Sequence, residues 1–71
     1  MEDFDEYVMM QVVEYTELGE IQQKKFVFDD WDEYQHLGEF RFVNSFSGET
    51  LTLFKRNISS LITRPLKTND N

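Results

Sequence analysis

The stretch Asp29-Asp30-Trp31-Asp32-Glu33-Tyr34-Gln35-His36-Leu37, followed by Gly38, decides how this chain is read. It is the one segment that carries helix punctuation. Asp29 or Asp30 can cap an N-terminus by accepting a hydrogen bond from a backbone N–H two or three residues on. Asp32 and Glu33 would sit in the first turn, where the helix dipole favours negative charge. Trp31, Tyr34 and Leu37 recur at i, i+3 and i+6, one apolar stripe on a helix. Gly38 stands where a left-handed cap belongs. The spacing predicts a helix over Asp29–Leu37, barely two turns long and unstable alone. Trp31 must therefore dock on a sheet to hold it.

The flanking segments read as strands. Tyr7–Thr16 (YVMMQVVEYT) is rich in Val and Tyr and apolar on both faces, which favours a strand, central or sandwiched, over the helix that its Met and Gln would also allow. Glu17–Glu20 makes a turn with Gly19 free to take a positive φ. Ile21–Phe28 (IQQKKFVF) returns as an antiparallel strand. Its Lys24 and Lys25 face the acids of the first strand or blunt an edge. Phe40–Asn44 and Thr50–Lys55 alternate around Ser45–Glu49, a hairpin in which Gly48 supplies the positive φ. Arg56-Asn57 turns the chain into Ile58–Thr63, a last strand that Pro65 should stop by Arg64. Met1–Glu6 and Leu66–Asn71 read as flexible ends. The expected fold is α+β: one domain over residues 1–71, a small antiparallel sheet or partial barrel in the order β-β-α-β-β-β, with the short helix packed across it.

Charge is divided by position. Residues 1–39 hold twelve acids against two bases, and residues 40–71 hold two acids against five bases, which together give the net charge of −7. Such a chain either folds its halves against each other or presents one sign of charge to a partner. With 39% hydrophobic and 30% charged residues, the composition is globular rather than disordered. Seven Phe, three Tyr and Trp31 are available for a core, which matters because a domain of 71 residues has a thin stability margin. There is no cysteine, so neither disulfides nor thiolate metal sites can staple the fold. The lack of cysteine suits a reducing compartment, and no basic segment precedes an apolar one at the N-terminus. No apolar run approaches the ~20 residues of a membrane-spanning helix. A soluble, cytoplasmic protein is expected.

Little chemistry is encoded. His36 is the sole histidine, and no motif sets it beside Ser45, Ser47, Ser59 or Ser60 for a nucleophilic relay. Asp32 and His36, at i and i+4 of the predicted helix, are too few ligands for a zinc site. The acids from Asp29 to Glu33 lack the glycine and terminal glutamate of a calcium loop. No glycine-rich loop is present to cradle a phosphate. The expectation is a non-enzymatic protein without cofactor or metal.

Its acids suggest a binding surface instead. Glu17, Glu20, Asp29, Asp30, Asp32 and Glu33 could form a negative face that engages a basic protein partner, competing for a groove built to hold nucleic acid. In size and charge balance the chain resembles the small acidic inhibitors made by bacteriophages. That resemblance is compositional and no motif carries it. An alternative uses the basic, aromatic second half: Arg41, Phe54, Lys55 and Arg56 could bind a nucleic-acid single strand, although the net charge of −7 works against backbone affinity. A third reading is a purely structural homo-oligomer. A homodimer would cover Phe4, Trp31 and Phe46, aromatics in excess of what so small a core can hide.

Overall fold

The structure, a computed structural model, describes residues 10–66. Six strands follow in order: β1 (Gln11–Glu17), β2 (Gln23–Phe28), β3 (Asp30–Tyr34), β4 (Glu39–Asn44), β5 (Glu49–Phe54) and β6 (Ile58–Pro65). They form two antiparallel three-stranded sheets, ordered β2-β1-β6 and β3-β4-β5. Two corners join the sheets. At the first, β2 passes into β3 through Asp29 alone. At the second, β5 passes into β6 through a single 3-10 turn, Lys55–Asn57. Bends of this kind let one strand serve two sheets, so that the inner faces close on each other.

The predicted helix does not form. Among the described residues there is no α-helix, so the α+β architecture with a helix across the sheet is replaced by an all-β one. Asp30–Tyr34 is extended and pairs with β4, Trp31 facing Phe42 and Asp32 facing Arg41. Only Gln35–Leu37 is helical, as a 3-10 turn that Gly38 closes at φ 63° by donating its N–H to the Gln35 carbonyl. The physical reason is tertiary. Two isolated helical turns are marginal, whereas the extended form gains a full ladder with β4 and lays Trp31 along the Phe42 ring. The aspartates that resemble helix caps do accept backbone N–H groups, but from the next residue: Asp30 from Trp31 at 2.9 Å and Asp32 from Glu33 at 3.1 Å. Without the helix, Asp32 and His36 lose the common face on which their pairing depended.

The core lies between the sheets. Val13 and Tyr15 of β1, Phe28 of β2, Phe42 of β4 and Leu53 of β5 are buried, with Phe26, Phe40, Leu51, Ile58 and Leu61 packed around them. Phe28 meets Phe42 edge-on with centroids 4.8 Å apart, so one aromatic pair locks sheet to sheet. As its two apolar faces require, β1 is the central strand of its sheet, and its outer-face Val12 and Glu14 are buried too.

Boundaries differ from the sequence reading in instructive ways. The first strand begins at Gln11 and Tyr7–Met9 lie outside the described residues, as do Met1–Glu6 and 67–71. The return strand starts at Gln23, leaving Ile21 in the connecting loop and exposed. The turn before it matches its signal, with Glu20 N–H on the Glu17 carbonyl and Gly19 at φ 85°. The last strand runs on to Pro65, where the missing N–H falls at a strand end. In the β4–β5 hairpin Gly48 takes φ 80°, and Asn44 organises the loop: its Oδ1 accepts from the N–H groups of Phe46 and Ser47, each at 3.0 Å. The Asn44 Nδ2 reaches back to the Val27 carbonyl of the other sheet, also at 3.0 Å. No helix among the described residues is long and apolar enough to cross a membrane.

Candidate protein-docking site

The polarised halves fold against each other. Among the described residues, Arg64 pairs with Glu14, Lys55 with Glu33 and Arg41 with Glu39, each joining a base of the second half to an acid of the first. Within the first half, Lys24 pairs with Glu17 and Lys25 lies near Glu14. These contacts have physical consequences. The Arg64 guanidinium, bonded to Glu14 through two nitrogens, holds that carboxyl below its usual range. The Glu39 carboxylate, almost wholly buried, is satisfied by Arg41, whose guanidinium also lies 4.4 Å from the centroid of the Tyr34 ring.

The acids singled out from the sequence therefore fall into two groups. Glu17 and Glu33 are ion-paired. Asp29, at the first corner, accepts both the backbone N–H and the hydroxyl of Ser45, which lowers its pKa and fastens the hairpin loop to the β2–β3 bend. Glu20 lies exposed in the loop after β1. Asp30 and Asp32 are exposed on β3 and, among the described residues, have no ion pair. Among the described residues, the six candidates thus leave three without an ion pair or a bond to Ser45: Glu20, and the close pair Asp30 and Asp32.

The basic alternative also thins out. Arg41 and Lys55 are already paired with Glu39 and Glu33, and the Lys55 ammonium sits 5.2 Å from the centroid of the Phe40 ring. Arg56, whose guanidinium lies 5.5 Å from the exposed Phe54 ring, is the one arginine or lysine among the described residues with no carboxylate partner.

What sequence reasoning missed is the position of Trp31. It lies on β3, which pairs with β4 alone among the described residues and so presents an open sheet edge. Trp31 is 48% exposed, yet its ring stacks with Phe42 at 6.1 Å and tilts against Phe40 at 6.2 Å. On its inner side, Trp31, Phe40 and Phe42 together with Leu61 and Thr63 of β6 line an apolar cavity of about 150 Å³. On the outer side a hollow of about 280 Å³ is lined by Asp30, Asp32, Tyr34, Arg41 and Thr50 as well as Trp31. The edge of β3 thus separates an apolar hollow from an acid-bearing one. The clue was the period-two pattern of Asp30-Trp31-Asp32, in which charge and ring alternate. It is the pattern of a strand, and the helical spacing of Trp31, Tyr34 and Leu37 masked it. Compared with known proteins, the chain matches no family model, no curated protein and no solved structure.

Proposed function

We propose that this chain is a non-enzymatic protein-interaction module that takes a basic protein partner on β3, in the manner of a small acidic inhibitor competing for a nucleic-acid-binding surface. One observation carries the reading: Asp30 and Asp32 are exposed on one face of an open edge strand, carry no ion pair among the described residues, and flank a half-exposed tryptophan. Among the described residues, four of the other six acids of the first half, Glu14, Glu17, Glu33 and Glu39, are paired with internal bases and Asp29 is bonded to Ser45, which leaves Asp30, Asp32 and Glu20 to project negative charge. Interfaces favour this combination of an aromatic anchor and unsatisfied charge, the ring supplying affinity and the charge supplying steering and register. The cysteine-free composition fits action in a reducing cytoplasm. The nucleic-acid alternative is supported only by Arg56 over Phe54 and is not adopted. The test is charge reversal. Immobilised chain should retain basic proteins from a cell extract at low salt, and the variant D30K/D32K, checked for an unchanged melting curve, should not. Equal retention by both would remove the reading.

A further inference from the structure

We infer that β3 binds its partner by strand addition, and that the segment it selects is extended and reads basic–apolar–basic. The inference rests on the proposed role of β3 as a docking strand and deepens it. Three features of the edge converge. First, alternate amides of a strand point to opposite sides. The N–H groups of Trp31 and Glu33 are held by the carboxylates of Asp30 and Asp32, so these two amides point away from β4 and towards the open edge. They are the donors a new strand would use. Second, the side chain opposite Trp31 on an added strand would share its face and meet the apolar cavity of about 150 Å³, room for one aliphatic or aromatic group. Third, the side chains opposite Asp30 and Asp32 would lie on the outer face, where cations complement the two carboxylates.

The same carboxylates govern access. While they hold the Trp31 and Glu33 amides, the edge offers no free donor at those positions. A cation on each side of the incoming apolar residue draws the carboxylates off the backbone, and the amides pass to the partner's carbonyls. A neutral segment has nothing to draw them away. A second copy of this chain is also turned aside, because antiparallel pairing of β3 with β3 centred on Trp31 would set aspartate against aspartate. The occupant is therefore a basic partner segment rather than this protein itself.

The test uses the full chain and blocked peptides of one composition. Thr-Arg-Leu-Arg-Thr carries the alternation, Thr-Arg-Arg-Leu-Thr destroys it, and a copy of the first with N-methyl groups on the leucine and the first threonine keeps the side chains but removes the backbone donors that would face β3. Binding is read by the emission of Trp31, the single tryptophan, and by the amide resonances of Trp31 and Glu33. The alternating peptide should bind saturably and shift both amides, with the other two at least about tenfold weaker, the equivalent of ~1.4 kcal/mol. If all three bind alike and D30N/D32N weakens them equally, strand addition is overturned while the acidic docking strand stands. If none binds at low salt, both fall. Should the chain self-associate through β3 at concentrations where it takes up no peptide, the assigned occupant is wrong.

Discussion

Truncation of Phe42 to alanine tests the two-sheet architecture most directly. Phe42 is 1% exposed and lies on the central strand of its sheet. Its ring meets Phe28 of the other sheet at 4.8 Å and supports Trp31 at 6.1 Å. Removing a buried Phe side chain costs about 3–5 kcal/mol, part transfer free energy and part residual cavity. For the 71 residues of this chain, total stability should be roughly 4–10 kcal/mol at about 0.05–0.15 kcal/mol per residue. The substitution therefore removes between a third and all of it. In a domain of this size about 4–8 °C of melting temperature goes with each kcal/mol, so Tm should drop by roughly 12–40 °C. Trp31→Ala provides the control. Half-exposed Trp31 buries on the order of 100 Å², worth about 2.5 kcal/mol. A helix held by Trp31 alone would reverse the order, because Trp31 would then be its only anchor. Thermal melts followed by circular dichroism separate the two. A melt of F42A within about 5 °C of the parent, or a larger loss from W31A than from F42A, would refute the packing argument.

Acid should destabilise the fold through two carboxylates. The pKa values of Glu14 and Asp29 are lowered, by Arg64 and by Ser45 respectively. Their contribution is complete above the unfolded values and is lost as pH falls through the folded ones, so Tm should decline between about pH 5 and about pH 2. Glu14→Gln should make that decline shallower, and an equally steep decline in the variant would count against the Arg64 contact. Asn44→Ala removes the acceptor for two loop amides and the donor to Val27, and should cost about 1–3 kcal/mol in denaturant unfolding. A change inside the error of the midpoint would show the loop to be held by other means. Gly48→Ala should cost about 1–2 kcal/mol. Because nothing lies within 4 Å of the added methyl, the loss comes from backbone strain at φ 80°, and D-alanine at the same position should restore stability.

The fold class was not legible, but five of the six strands could be read from the chain because several signals were redundant. The β4–β5 hairpin had alternation on both strands and Gly48 between them. The central position of β1 followed from apolar residues on both faces. Gly19 and Gly38 occupy the left-handed conformations their positions implied, although Gly38 closes a 3-10 turn instead of an α-helix. Asp29–Leu37 was ambiguous for a physical reason. Aspartate before a backbone N–H serves a helix N-terminus and an exposed strand edge equally well, and an aromatic every third residue is equally a tryptophan on one face of a strand and a tyrosine on the other. Local propensity could not separate the two states. The decision was made at a distance, by Phe28 and Phe42 packing on each other and by β4 offering Trp31 and Asp32 a ladder. No window confined to residues 29–37 contains that information.

The site was less legible than the strands because net charge along a sequence carries no record of which charges pair on folding. Twelve acids in the first half suggested a broad field, but of the eight among the described residues three, Glu14, Glu33 and Glu39, receive a base from beyond residue 40, and Glu17 receives Lys24. What a sequence displays as net charge, a structure resolves into pairs and remainder, and only the remainder is available to a partner. Among the described acids of the first half, that remainder is Glu20 and two residues of β3, the segment whose extended form the helical spacing had masked. On a helix, Asp30 would have been a candidate cap and Asp32 a first-turn acid facing the helix dipole. On an edge strand the same carboxylates cover outward-facing amides and can be drawn off by a cation. Thus the change from helix to strand does more than correct the architecture. It turns two acids of a helix N-terminus into a removable guard on a sheet edge.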